Sequence, residues 1–297
     1  MIKYIKRNFT NVCNEVENDE RRIRMLIKTN STTLYLSERT HIMGILNVTP
    51  DSFSDGGENT TIEKALQHAR KMVEEGADMI DVGGESTRPD HEPISAEEEM
   101  ERVLPVIEAL KEETDVPISI DTYKAQTAEE AIKAGADMIN DIWGAKKDPN
   151  MAHIAATYDV PIVLMHNRTN KQYESIMDEM IEDIQQSVDI VLNAGVKENN
   201  IIIDPGIGFG KELEHNYIVL NKLEMFTKTF PYPLLLGASR KSFITKVLDV
   251  NPDERDNATG ATTCLGIAKG ASIIRVHDVK RHVELAKMTD AIVRGVV

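Results

Sequence analysis

EEGADMIDVGG (residues 74–84) decides the fold, because the chain repeats it. KAGADMINDIWG (133–144) carries the same order of glycine, alanine and a short apolar run ending on polar residues, and KGASIIRVHD (269–278) echoes it. Each copy reads as a helix end, a glycine stop and then a buried strand. A helix-to-strand junction that recurs along a chain is the mark of an array of β-strand and helix units.

Outward from these copies, the pattern extends to eight strand candidates. They are HIMGILNV (41–48), DMIDVGG (78–84), PISID (117–121), DMIND (137–141), PIVLMH (161–166), IIIDP (201–205), PLLLGAS (233–239) and SIIRVH (272–277). Most are apolar almost throughout rather than alternating, as expected of parallel strands covered on both faces. Pro117, Pro161 and Pro233 stand at strand starts, where a missing N–H is tolerated. Between the strands, residues 62–77, 96–113 and 173–195 place apolar side chains at three- and four-residue steps, the helical period. Gly76, Gly135, Gly195 and Gly270 follow helical stretches as stop signals. Eight such units between His41 and Val297 predict an α/β fold, a (β/α)8 TIM barrel, whose usual size is ~250 residues. An open doubly wound sheet is the main rival, but no phosphate-binding G-x-G-x-x-G follows the first strand.

Ahead of the barrel, IRMLIKTNSTTLYL (23–36) places two β-rich stretches around a Thr-Asn-Ser-Thr turn and predicts a β-hairpin. Residues 1–22 show no period and read as a variable N-terminal extension, leaving 23–297 as one barrel domain. The 297 residues carry a formal net charge of −15, which argues against a nucleic-acid or anionic-membrane surface. The two cysteines, Cys13 and Cys264, form no C-x-x-C pair and support neither a disulfide framework nor a zinc site. No apolar run approaches the ~20 residues that cross a bilayer, and the polar start does not read as a signal peptide. The expected location is the cytoplasm.

In a TIM barrel the active site lies at the C-terminal ends of the strands. Those ends carry Asn47, Gly83-Gly84-Glu85, Asp121, Asn140-Asp141, Met165-His166, Asp204, Ser239-Arg240-Lys241-Ser242 and Arg275-Val276-His277 in turn. Any one of them has a structural explanation: Asp121 as a helix cap, Asn140 in a turn, His166 or His277 as a hydrogen-bonded core histidine. A ring of polar groups at one end of nearly every strand is not needed by a merely structural barrel. Two loops, after Asn47 and after Gly84, exceed the ~2–6 residues usual for such connections and read as lids.

The stretches GILNVTPDSFSDGG (44–57), IDVGGESTRP (80–89), ISIDTYK (118–124), INDIWG (139–144), DPGIGF (204–209), GASRKSF (237–243) and RVHDV (275–279) resemble the dihydropteroate synthase family. The resemblance implies a TIM-barrel transferase that joins dihydropterin pyrophosphate to p-aminobenzoate and releases diphosphate. It implies a pterin slot of Asp121, Asn140, Met165, Asp204, Phe209, Lys241 and Arg275, and a diphosphate pocket of Asn47, Arg275 and His277. Phe53, Thr87, Arg88, Pro89, Phe209 and Ser242 would receive p-aminobenzoate, and Asp55, Arg88, Asp121 and Lys241 would serve catalysis. Mg²⁺ is expected on the diphosphate with Asn47 as its protein ligand, and a homodimer is expected from the family. Ser242 is also expected to open a helix whose N-terminus faces the barrel mouth.

Three other readings stay open on the sequence. A pterin-dependent methyltransferase would share the Asp and Asn edge but would not need the Ser-Arg-Lys-Ser and Arg-Val-His groups. An aldolase-like barrel would use Lys241 as a Schiff-base nucleophile. A non-catalytic pterin-binding paralogue would be expected to lack part of the loops and anion pocket.

Overall fold

The structure, a computed structural model, describes residues 25–49, 58–86, 92–251 and 254–295. It opens with the expected hairpin, β1 (Leu26–Lys28) and β2 (Thr33–Tyr35), antiparallel with Leu26 opposite Tyr35. Thr29-Asn30-Ser31-Thr32 is the turn, closed by the Thr29 hydroxyl, which accepts from the Thr32 N–H at 2.9 Å. Residues 23 and 24 of the predicted hairpin lie outside the described residues.

All eight barrel strands form where the apolar runs stand. They are β3 (His41–Asn47), β4 (Met79–Gly83), β5 (Ile118–Asp121), β6 (Met138–Asp141), β7 (Ile162–Met165), β8 (Ile201–Asp204), β9 (Leu235–Leu236) and β10 (Ile273–Val276). Neighbours pair in parallel in the order β8-β7-β6-β5-β4-β3-β10-β9, and a parallel bridge between Ile203 and Leu234 closes the ring. The helices between them are α1 (Glu58–Glu74), α2 (Ala96–Glu113), α3 (Ala125–Ala134), α4 (Met151–Thr157), α5 (Ile176–Ala194), α6 (Leu213–Asn221), α7 (Glu224–Thr229), α8 (Thr245–Leu248), α9 (Asp256–Ala268) and α10 (Val279–Val293). Gly135 and Gly195 end α3 and α5 in the left-handed conformation, as their positions predict.

Two of the departures from the sequence reading bear on the site. The seventh strand is two residues long rather than seven, because the ladder stops at Gly237, which has no side chain to pack. Ser242 opens a single 3-10 turn (Ser242–Ile244) followed by the one-turn α8, not a sustained helix. So short a segment carries little dipole, which removes the helix-terminus argument for anion binding there.

Strand side chains alternate between the two faces of the sheet, so the barrel interior is built in layers. The lowest layer is apolar: Met43, Met79, Met138, Val163, Ile202, Leu235 and Ile273. Ile27, Leu34 and Leu36 of the hairpin pack against it and plug the base, while Ser31 ties the turn to Asp137 at 3.0 Å. Burying each of these hairpin side chains is worth ~1.5–3 kcal/mol. Two residues further along each strand stand Ile45, Asp81, Asn140, Met165, Asp204, Gly237 and Arg275, and Asp121 lies two beyond Ser119. The period of two thus converts an apolar floor into a polar layer directly above it. The outward faces carry residues such as Ile42, Ile80, Ile120, Ile139 and Leu164, which join the core beneath the helices. Among the described residues no helix is long and apolar enough to cross a membrane.

Candidate active site

The polar layer is organised by Arg275 on β10. Its Nε donates to Asp81 at 2.6 Å and its Nη2 donates to Asp121 at 2.6 Å. Asp81 is fully buried and its Oδ2 also accepts from the Asn140 amide at 2.8 Å, whereas its Oδ1 has no partner among the described residues. Because the Asn140 Nδ2 is committed to Asp81, its Oδ1 and second N–H remain for a ligand. Asp121 is buried beside Arg275, and burial pushes its carboxyl up to about 7 against the pull of the guanidinium. Asp81, Glu99 and Asp141 reinforce that rise.

Asp204 ends β8, two strands from Asn140 on β6 and two from Arg275 on β10. Its Oδ1 accepts from the Gly206 N–H at 2.7 Å, and its Oδ2 faces the position where Gly237 lacks a side chain. A Cβ at Gly237 would lie 3.7 Å from that oxygen and 3.9 Å from Arg275. At Gly83, a Cβ would lie 3.5 Å from Asp121 and 3.8 Å from the Asn47 Oδ1. The two inward glycines therefore leave space between the polar groups, one beside Asp204 and Arg275 and one beside Asn47 and Asp121. Burial raises the Asp204 carboxyl, and Lys241, the Gly206 N–H, Arg275 and Lys211 draw it back.

Lys241 enters from the loop after β9. Its ammonium donates to the Ile207 carbonyl and sits 4.6 Å from the centre of the Phe209 ring. Burial lowers it to about 8, with Asp204 opposing and Arg275 adding to the fall. The preceding Arg240 turns away from the mouth. It adopts φ +56°, and its guanidinium forms a bidentate pair with Asp256 at 2.8 Å. That left-handed residue reverses the chain so that Arg240 and Lys241 point to opposite sides.

His277 follows β10. Its backbone N–H donates to the Ser239 hydroxyl at 3.3 Å, and the Ser239 Oγ lies 2.9 Å from the His277 Nδ1. The Ser239 hydroxyl can donate to Nδ1 while it accepts from the backbone N–H, and in that arrangement the ring proton is on Nε2. Burial, with Arg275 and Arg240 adding to it, lowers His277 to about 3, so it is a neutral donor. Asn47 is exposed at the end of β3. Met165 is buried at the end of β7, Phe209 is half-buried and Ser242 is exposed.

The structure thus brings Asp121, Asn140, Met165, Asp204, Lys241 and Arg275 together on the inner wall. Asn47, Phe209, Ser242 and His277 stand at its rim. Phe53, Asp55, Thr87, Arg88 and Pro89 lie outside the described residues. Two strand-end groups take their structural readings. Asp141 points outward and accepts from the Trp143 and Ala145 N–H groups at 2.8 and 2.7 Å. His166 is buried between Lys211 and Asp183. Sequence reasoning missed Asp81 and Gly237, and it placed Gly83 and Ser239 at strand ends without giving them a role. Asp81 carried a legible signal, because it falls on the inward parity set by Met79 and Gly83.

A carboxylate and an amide sharing a buried wall with a stacked cation suit a flat heterocycle with donors and acceptors on one edge. The chain matches the family described as "Pterin binding enzyme" over residues 43–277. It is 57% identical to the dihydropteroate synthase of Bacillus subtilis, over 90% of this chain and 93% of that protein. A crystal structure of the Clostridium difficile dihydropteroate synthase in the presence of pteroic acid superposes with a TM-score of 0.85, at 52% identity, over 86% of this chain and 98% of that one. The Xanthomonas albilineans dihydropteroate synthase with 4-aminobenzoic acid gives 0.86 at 38% identity, over 90% of this chain and 98% of that one. The chain belongs to the pterin-binding enzymes, (β/α)8 barrels with the site at the strand ends. Within them it belongs with the dihydropteroate synthases, transferases that condense a dihydropterin diphosphate with p-aminobenzoate.

Proposed function

We propose that the chain forms 7,8-dihydropteroate by a dissociative route, in which the bond between the pterin methylene and the diphosphate oxygen breaks before the arylamine attacks. The observation that carries this reading is the fixed carboxylate at Asp121. Arg275 holds it on the wall shared by Asn140, and Asp81 beneath is bonded to both Asn140 and Arg275. A preorganised negative group there stabilises a delocalised pterin cation in a site sheltered from water. In this reading Asp204 accepts from the amino and ring N–H groups of the pterin, and Asn140 pairs beside it. Lys241 donates to the carbonyl side of the ring, and Met165 and Phe209 flank its faces. The His277 Nε2–H, the remaining guanidinium N–H groups of Arg275 and Asn47 receive the leaving diphosphate. Ser242 and Phe209, with Phe53, Thr87, Arg88 and Pro89, receive p-aminobenzoate, the class of compound that sulfonamides mimic. Asp55 faces the cation with Asp121.

Mg²⁺ fits this donor set. Asn47 offers one exposed neutral oxygen, and among the described residues no cluster of three acidic, histidine or cysteine side chains exists to enclose a metal. A cation that keeps most of its waters and shares substrate oxygens needs no more. When bound it would neutralise charge on the diphosphate. A second copy of the chain is the expected partner: Leu265 on α9 and Met288, Ile292 and Val293 on α10 expose apolar side chains on two helices packed together. Cytoplasmic residence accords with the free Cys264.

The test incubates purified chain and Mg²⁺ with dihydropterin pyrophosphate, with and without p-aminobenzoate, and measures diphosphate. Slow release without the amine is expected. Release that depends wholly on the amine would favour direct displacement.

A further inference from the structure

Lys211 is not among the inward-facing groups of the site, yet it is the most buried lysine or arginine among the described residues, at 5% exposure. It stands in the stretch after β8 and turns back beneath it. Its ammonium donates to the Gly206 carbonyl at 2.8 Å, the Phe209 carbonyl at 2.9 Å and the His166 Nδ1 at 3.0 Å. An ammonium has three donors, and all three are used. The His166 Nε2 lies 3.1 Å from an Asp183 carboxylate oxygen on α5. The Asp183 carboxylate accepts from Nε2, so a neutral imidazole carries its hydrogen there and its Nδ1 accepts from Lys211, whose amine burial lowers well below its ordinary value while Asp204 opposes the fall. Burial lowers the imidazole to about 4, in keeping with that state.

The segment that Lys211 grips is the one that shapes the pterin slot. The Gly206 peptide donates through its N–H to Asp204 at 2.7 Å and accepts through its carbonyl from Lys211 at 2.8 Å. Gly206 has φ +64°, and a Cβ there would meet the His166 carbonyl at 2.0 Å, so the peptide has no room to shift. Three further groups of the loop are captured as well. Lys241 holds the Ile207 carbonyl, the Gly208 N–H donates to Asn216 at 2.6 Å, and the Tyr173 hydroxyl donates to the Gly210 carbonyl at 2.6 Å. One buried cation thus joins β7, α5 and the loop that presents both Asp204 and Phe209.

We infer that Lys211 is a positioning residue for the pterin slot: from behind the barrel wall it holds residues 206–209 so that Asp204 and Phe209 meet the substrate without rearrangement. A loop ordered in advance spares the ordering cost that would otherwise be taken from binding. The inference rests on the proposed placement of the pterin at Asp204, and its test separates the two.

Lys211→Met removes all three donations while keeping length and volume, and Lys211→Gln restores one neutral donor. Calorimetry with a dihydropterin lacking the diphosphate should show affinity reduced at least tenfold in Lys211→Met and less in Lys211→Gln. The KM for p-aminobenzoate should rise through Phe209. A role confined to stability would lower the melting temperature and leave both constants within twofold, which would overturn the inference. Failure of the wild-type chain to bind the pterin would refute the placement at Asp204 instead. Amide exchange of the wild-type chain supplies a second reading that needs no variant. The N–H groups of residues 206–209 should be protected without ligand, with little gain when the pterin binds. Rapid exchange that slows only on binding would mean the loop is ordered by substrate and not by Lys211.

Discussion

Asp81→Asn is the most informative single change, because the structure predicts two effects of different kind. The amide replaces the carboxylate without altering size. Its oxygen can take the place of Oδ2 and still accept from Asn140 and Arg275, which lie 2.8 and 2.6 Å away. Its NH₂ falls where Oδ1 already lacks a partner among the described residues. Geometry survives and charge is lost. The guanidinium still donates, now to a neutral oxygen, so only one charge of the pair is lost and it is held less firmly by roughly 1 kcal/mol within the ~1.5–3 kcal/mol of bonds to charged groups. Since Arg275 must stay in place for the pterin to lie against it, affinity for a dihydropterin should fall up to about tenfold by calorimetry.

The second effect is on pH dependence. Asp121 sits at about 7, and the Asp81 charge is among the causes that raise it. The two carboxylates grip different nitrogens of one guanidinium, and two charges ~6 Å apart at an effective dielectric constant of ~20 repel by ~3 kcal/mol. Taking that as an upper bound, and with 1.36 kcal/mol to a pH unit, removing the Asp81 charge moves the ionisation down by about one unit or somewhat more. The ionised form of Asp121 is the one that faces the cation. In the wild-type chain kcat/KM should therefore fall as pH drops through about 7. In Asp81→Asn the acid limb should lie near pH 6 or below, although the plateau is lower. An acid limb that stays at 7 while affinity drops would show that Asp121 does not control the profile, and an unchanged affinity would remove Asp81 from the support of Arg275.

Four other outcomes follow from single contacts. Asp204→Asn should cost pterin affinity at least tenfold in calorimetry, because an amide presents NH₂ to a ring donor and the charge-assisted bonds are lost; unchanged binding would take Asp204 off the pterin edge. Gly237→Ala should leave the melting temperature nearly unchanged, since its Cβ meets neighbours at 3.7 and 3.9 Å, yet lower pterin affinity by filling the slot. Ser239→Ala should free the His277 ring to change tautomer and raise the KM of the diphosphate-bearing substrate several-fold. Binding of the same pterin without its diphosphate should not change, and equal losses for both ligands would place His277 elsewhere. Ser242→Ala should raise the KM for p-aminobenzoate and not the melting temperature, because Lys241 and not Ser242 holds the cap position; early melting with normal kinetics would strike Ser242 from the site.

The fold was legible because its signals are local. Buried parallel strands need nearly continuous apolar runs, and helix ends such as those of α3 and α5 are marked by a glycine, Gly135 or Gly195, in the left-handed region. What failed in the fold depended on tertiary context. Residues 233–239 have the composition of a strand, but pairing stops after Leu236, where Gly237 faces the site and the chain turns toward Ser239. The helix expected at Ser242 gave way to a 3-10 turn whose length the local sequence does not fix.

The site was legible as a set of strand ends and not as a network. Reading only the polar residues at the very end of each strand finds Asp121, Asn140 and Asp204, which lie within or next to the upper polar layer. It misses Asp81, which lies two residues before the end of β4, because an aspartate inside an apolar run has no distinguishing neighbour in sequence. Parity would have found it: Met79 belongs to the apolar floor, so Asp81 must point inward, into the layer of Asn140 and Arg275. Parity also separates Asn140 from Asp141, one facing Asp81 and the other bonded to its own turn, though both end the same strand. Lys211 was beyond either rule. It lies in a loop, and only the folded chain reveals that its ammonium passes behind the wall to the carbonyls of Gly206 and Phe209. Residues that touch the ligand are thus marked by the period of the strand, whereas those that hold them in place are marked only by contacts between segments distant in sequence.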